Sequence, residues 1–174
     1  IARSWPFDTL VQGPAATREG FWAAAAQATH LHLSSHGLAQ QNFPDFSFLL
    51  CAPDEARNSQ LYAAEIQDHY LPAELVVLSA CETNRGPLAG NEGPNTLAKA
   101  FMQAGARSVV ASRWVAVGEP TPRLMQYFYQ ELAAGQPLDL CLYRARQQYQ
   151  QDAELAPHQG HPFYWANWQL LGGS

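Results

Sequence analysis

The segment that most restricts the fold is Leu75-Val-Val-Leu-Ser-Ala80. It is apolar at consecutive positions, so a strand built from it needs cover on both faces, as in the centre of a parallel sheet. Parallel neighbours in turn need long crossover connections, most often helices. The remaining sequence supplies them, because short apolar runs alternate with stretches of helical periodicity in an α/β pattern. With 174 residues, 47% of them apolar, the chain can bury one continuous core. One domain over 1–174 is expected.

The flanking elements follow from local signals. A weak strand is expected over 7–12, broken by Gly13-Pro14, and Thr17 offers an N-cap for a helix through Phe21 and Trp22 to Gln27. Leu31 and Leu33 alternate with His30 and His32, which predicts a strand with one less apolar face, ending at Ser35-His36-Gly37. A Pro- and Asp-containing stretch near 43–46 precedes a hairpin strand over 48–51 and a brief helix over 62–69. Segment 82–93 has Gly, Pro and Asn without apolar periodicity and reads as the longest loop. Pro94 stands first in a helix with Leu97, Ala98, Phe101 and Met102 on one face, ended by Gly105. A strand over 107–112 comes next. Thr121-Pro122 opens an amphipathic helix with Leu124, Met125, Phe128 and Leu132 inward, closed by Gly135. A helix over 138–150 gathers Leu138, Cys141, Leu142 and Ala145, and a last strand is expected over 165–171.

Charge and cysteine usage exclude several functions. Only 14% of residues are charged, and the net charge of −5 is spread without runs of either sign, so nothing recruits nucleic acid or anionic lipid. No apolar stretch approaches the roughly 20 residues that span a bilayer, and no basic-then-apolar leader opens the chain, so a soluble, cytoplasmic protein is expected. Cys51, Cys81 and Cys141 are odd in number and widely spaced, which fits reduced thiols better than a disulfide framework. The opening Ile1-Ala-Arg-Ser-Trp-Pro reads like the interior of a longer protein, of which this chain would be the C-terminal part.

Two expected strand ends carry reactive side chains: Leu33-Ser-Ser-His36-Gly37 and Leu78-Ser-Ala-Cys81-Glu82-Thr83. In open α/β sheets ligands bind beyond the carboxyl ends of strands, where an imidazole and a thiol can face each other. A free thiol ionises near pH ~8.5, so a cysteine nucleophile needs a base such as His36. Gly37 lets the backbone approach a substrate closely. Its N–H and that of Cys81 would form an oxyanion hole, each donor worth roughly 3 kcal/mol. His30, His32 and His36, read as one alternating strand face, also suggest metal ligands beside Cys81, but no paired C-x-x-C or H-x-x-E-H spacing supports a metal.

Taken together, His32-Leu-Ser-Ser-His36-Gly37, Val77-Leu-Ser-Ala-Cys81-Glu-Thr83, Leu97-Ala-Lys-Ala-Phe101, Ala104-Gly-Ala-Arg-Ser-Val-Val-Ala-Ser112, Trp114 and His161-Pro-Phe-Tyr-Trp165 resemble the CHAT domains, caspase-like cysteine peptidases in the clan of caspases and separase. The resemblance runs from about Gly13 to Gly172. The 45 positions from His36 to Cys81 are close to the roughly 50 of caspases. The resemblance implies a caspase-like α/β/α sandwich with a mostly parallel sheet. It further implies peptide-bond hydrolysis without metal or organic cofactor, with His36 as base and Cys81 as nucleophile. Ser112, Arg113 and Trp114 would line the substrate cleft, Arg113 offering a planar fork and Trp114 an apolar wall, with Glu82 as a further substrate contact. The implied partners are a protein or peptide substrate and a regulatory helical-repeat domain or partner complex.

Two departures stand out. The family's first strand and helix, upstream of Gly13, have no counterpart here, and one acidic position is lost in Val117-Gly-Glu-Pro-Thr121. A catalytically silent interaction module is the alternative reading. The remaining polar residues receive bland roles: His30 and His32 structural, His69 and His158 exposed, and the segment around His161 packing Phe163, Tyr164, Trp165 and Trp168 on the sheet.

Overall fold

The computed structural model describes residues 8–173 except 41, 56, 80, 83–94, 115, 117 and 119, with backbone alone at 81, 82 and 95. In order, the elements are α1 (Arg18–Ala25), β1 (His30–Leu33), β2 (His36–Leu38), β3 (Phe48–Leu50), β4 (Gln60–Tyr62), α2 (Ala63–Gln67), β5 (Leu75–Leu78), β6 (Cys81–Glu82), α3 (Asn95–Ala104), β7 (Ser108–Ser112), α4 (Pro120–Ala133), α5 (Leu138–Gln150) and β8 (Trp168–Gly172).

The main sheet runs β1-β5-β7-β8, with β1, β5 and β7 parallel and β8 antiparallel to β7. All four residues of β5 are buried, as its unbroken apolar run requires. They alternate between two cores. Val76 and Leu78 pack with Ala25 of α1, Ile66 of α2 and Leu97, Ala98 and Phe101 of α3. Leu75 and Val77 face Leu124, Met125, Phe128 and Tyr129 of α4, Cys141, Leu142 and Ala145 of α5, and Trp168. Helices cover both faces, giving the α/β/α sandwich with a mostly parallel sheet. A smaller sheet, ordered β4-β3-β2-β6, has antiparallel pairs except for β2 and β6, which are parallel.

Local signals set several boundaries. Thr17 Oγ1 accepts a hydrogen bond from the Gly20 N–H at 3.0 Å, capping α1. The turns after α3 and α4 are closed by Gly105 (φ 114°) and Gly135 (φ 75°), in the left-handed region open to glycine.

The structure corrects other expectations. Residues 8–12 form no strand: nearly all are exposed, with no face to bury, and Gly13–Ala15 coils into a 3₁₀ turn. The strand through His30 stops at Leu33, because the Ser35 hydroxyl donates to the Leu50 carbonyl and draws the chain toward β3. His36 therefore opens a separate strand and shares no strand face with His30 and His32. Likewise β5 ends at Leu78, and Cys81 begins β6 rather than closing β5. The last strand starts at Trp168, because Pro162–Tyr164 forms a 3₁₀ turn first. The hairpin partner β4 has no sequence signal, being three residues with one, Leu61, buried. The expected loop over 82–93 lies outside the described residues beyond the backbone of Glu82, as does Pro94.

Candidate active site

The two reactive segments are aligned by one continuous parallel register. His30 to Leu33 face Leu75 to Leu78, and beyond a two-residue break His36 faces Cys81 and Gly37 faces Glu82. Every residue faces the one 45 positions on, before and after the break. The Ser79 N–H donates to the Leu33 carbonyl at 2.8 Å, which carries the ladder to the edge of the break. Both chains thus leave the main sheet together and pair again in the smaller one. Directly opposed residues are the nearest neighbours two strands offer. His36 is exposed and Gly37 is buried. The Cys81 thiol and the Glu82 carboxylate lie outside the described residues.

The end of β7 stands beside this pair, since Leu78 is in register with Ala111. Ser112 is buried, Arg113 is exposed and Trp114 is half-buried. The C-terminal segment fixes this ledge. The Arg113 N–H donates to the Asn167 carbonyl at 2.7 Å, Asn167 Nδ2 donates to the Trp114 carbonyl at 3.4 Å, and the Trp114 indole N–H donates to the Phe163 carbonyl at 2.9 Å. The rings of Trp114 and Phe163 stack with centroids 6.2 Å apart. Phe163 is thus exposed against Trp114 rather than packed on the sheet, whereas Tyr164, Trp165 and Trp168 join the α4–α5 core. Phe163 also lines an open groove of about 630 Å³ with Pro157, His158, His161 and Tyr164. The anchoring residue Asn167 is 1% exposed, and no local pattern in the sequence points to it.

Behind the strand ends lies a polar cluster. His32 Nδ1 is 2.7 Å from the Tyr129 hydroxyl, and its Nε2 is 3.2 Å from Ser79 Oγ. Burial lowers His32 to a pKa of about 4 and raises that of the Tyr129 phenol, so both are neutral near pH ~7. The structural role expected of His32 matches this geometry. His30 Nδ1 lies 3.0 Å from the Thr29 hydroxyl, and among the described residues no set of three His, Cys, Asp or Glu side chains is arranged to hold a metal. His69 and His158 are exposed, His69 with its ring stacked on Trp22 at 4.1 Å. The other thiols are quiescent: burial pushes Cys141 up to about 11, its Sγ–H donating to the Gln136 carbonyl, and burial also raises half-buried Cys51.

A mostly parallel sheet covered by helices on both faces, with histidine- and cysteine-bearing segments in register beyond neighbouring strand ends, defines the caspase-like α/β class. The chain belongs to the CHAT domain family, which matches residues 7–173. Similar proteins include tetratricopeptide repeat protein 28 of Homo sapiens, 30% identical over 112 residues, which are 64% of this chain and 4% of that protein. Tetratricopeptide repeat protein 28 of Mus musculus is 30% identical over 122 residues, 70% of this chain and 5% of the relative. The chain therefore spans a small part of the length of these relatives. No described helix is long and apolar enough to cross a membrane.

Proposed function

We propose that the domain is a cysteine endopeptidase with Cys81 as nucleophile and His36 as general base. The observation that carries this reading is the register of His36 with Cys81 at the start of paired strands. His36 takes the thiol proton, and the thiolate attacks a peptide carbonyl carbon. The resulting oxyanion is held by the N–H groups of Gly37 and Cys81. Collapse expels the amine, which takes the proton back from His36, and leaves a thioester on Cys81. Water, deprotonated by His36, then releases the acid and regenerates the thiol. These steps draw on no metal or organic cofactor. Arg113, Trp114 and Ser112, with Glu82, form the bank of the substrate cleft. The substrate is a protein, and a helical-repeat region or partner complex controls the site, in keeping with the repeats for which both relatives are named.

The helical repeats for which the relatives are named also suit a second reading, a catalytically silent interaction module. A peptidyl acyloxymethyl ketone applied to the full-length protein separates the two. Under the peptidase reading it modifies Cys81 ahead of Cys51 and Cys141, and His36→Ala abolishes the preference. Equal reactivity of all three thiols in the presence of the activating partner would leave the silent module standing.

A further inference from the structure

We propose that Tyr129, His32 and Ser79 form a hydrogen-bonded brace that sets the relative position of the two segments carrying His36 and Cys81, with His32 as a positioning residue. The proposal rests on the peptidase reading, and three observations converge on it.

The first is placement. Ser79 is the first residue past β5 and lies two positions before Cys81, while His32 is the penultimate residue of β1 and lies four before His36. The Nε2···Oγ contact of 3.2 Å therefore joins the two chains just before both leave the main sheet. At that break the Ser79 N–H donates to the Leu33 carbonyl, and the side-chain contact adds a further tie beside that backbone bond.

The second is anchorage. The other ring nitrogen reaches Tyr129 at 2.7 Å, and Tyr129 is 1% exposed in the rigid core of α4, with Phe128 packed edge-to-face against it. The brace thus ties two chain segments that pass from one sheet to the other to a helix that cannot move without opening the core.

The third is chemistry. A neutral imidazole donates from one nitrogen and accepts at the other, so the three groups hydrogen-bond in a single direction. Either the phenol donates to Nδ1 and Nε2–H donates to Ser79, or Ser79 donates to Nε2 and Nδ1–H donates to the phenol. In both cases loss of either end leaves an imidazole nitrogen with one partner fewer, and the ring is held less firmly. Since small displacements of reacting groups are costly, as much as ~100-fold in rate for about 1 Å, a brace here acts on the chemical step and not on substrate binding.

The test uses the full-length protein with its activating partner and three variants: Tyr129→Phe, which keeps the ring and its packing, Ser79→Ala, and Ser79→Thr, which keeps the hydroxyl. Two rates are measured, alkylation of Cys81 by iodoacetamide and hydrolysis of a peptide substrate, well below each variant's melting temperature. The brace predicts that Tyr129→Phe and Ser79→Ala each slow alkylation and lower kcat about tenfold with KM within about twofold, a fraction of the full misplacement cost. It also predicts that Ser79→Thr recovers most of the loss, and that combining the two damaging changes costs no more than either alone, since one unit is broken in each. Unchanged kcat and alkylation in folded Tyr129→Phe and Ser79→Ala, whatever their melting temperatures, overturns the brace and leaves the peptidase reading intact. Parent protein whose Cys81 alkylates no faster than Cys51 overturns both, because no activated thiol then exists to be positioned.

Discussion

Asp152 offers a sharp test of how the helix that carries Tyr129 is held. Its carboxylate accepts three hydrogen bonds: from Arg123 Nε at 2.5 Å, from the Tyr127 hydroxyl at 2.7 Å and from the Glu154 N–H at 2.9 Å. Arg123 and Tyr127 stand one turn apart on α4, so the carboxylate clamps that helix to the turn beyond α5. The Asp152 side chain is only 5% exposed, and its bonds to Arg123 and Tyr127 hold it well below the usual carboxylate range. Asp152→Asn keeps the shape and the Glu154 contact but removes the charge and turns an amide N–H or a neutral oxygen toward Arg123. A charge-assisted bond is worth about 1.5–3 kcal/mol. Arg123 is 33% exposed, and water replaces part of the loss, so the expected cost is about 1–2 kcal/mol. At about 2–4 °C per kcal/mol for a domain of this size, Tm falls by roughly 2–8 °C at neutral pH. The sign of the pH dependence follows from linkage. The folded carboxyl has a depressed pKa, so its contribution is complete above the unfolded value of about 3.9 and fades as the pH falls below it. Calorimetric melting of parent and variant at about pH 7 and about pH 3 should therefore show a gap that is smaller in acid. A gap that persists undiminished in acid, or is absent at neutrality, refutes the clamp.

Three further outcomes are expected. His32 titrates near about 4 when folded and near ~6.5 when unfolded, so the unfolded chain binds more protons between those values and stability should rise with pH across that window; His32→Gln should flatten the rise in urea midpoints. Phe101 is fully buried between α3 and the sheet, and Phe101→Ala should cost about 3–5 kcal/mol by urea denaturation without changing the m-value. Gly172 has φ 74° and lies against the Arg107 carbonyl, which an added Cβ would strike, so Gly172→Ala should cost about 1–3 kcal/mol in the same assay.

What was legible in the sequence is what local chemistry decides. The helix over Leu138–Gln150 matches its expectation end to end, with its stripe of Leu138, Cys141, Leu142 and Ala145 turned to the core. Thr17 caps as a residue before a polar first turn should. The run at Leu75 announced a central strand because nothing else buries four successive apolar residues on two faces. By contrast β4 and β6 are two or three residues long and exist only because β3 and β2 lie beside them, so no periodicity reveals them. The break at Ser34 and Ser35 was missed for a related reason. The alternation of His30 to Leu33 continues smoothly through the serines, and what ends the strand is a hydroxyl bonded to Leu50 across a hairpin. Asn167 was invisible because its partners, Arg113 and Trp114, are more than 50 positions away.

The register itself links the core to the site. Leu31 and Leu33 point into the α1–α3 core, while His32 reaches Tyr129 on the other side. A slip of one residue in the pairing of β1 with β5 would not merely shift hydrogen bonds. It would misalign the alternation across two strands and press an imidazole into a hydrocarbon layer, or strip a leucine out of it. Burial of those leucines therefore excludes a one-residue slip, and the observed offset of 45, carried across the break, is what sets His36 opposite Cys81 rather than opposite a neighbour. The spacing that links the histidine and cysteine motifs in the sequence is thus the offset of a strand ladder that hydrophobic packing helps to hold. The offset seen in the core and the offset that opposes His36 to Cys81 are one quantity.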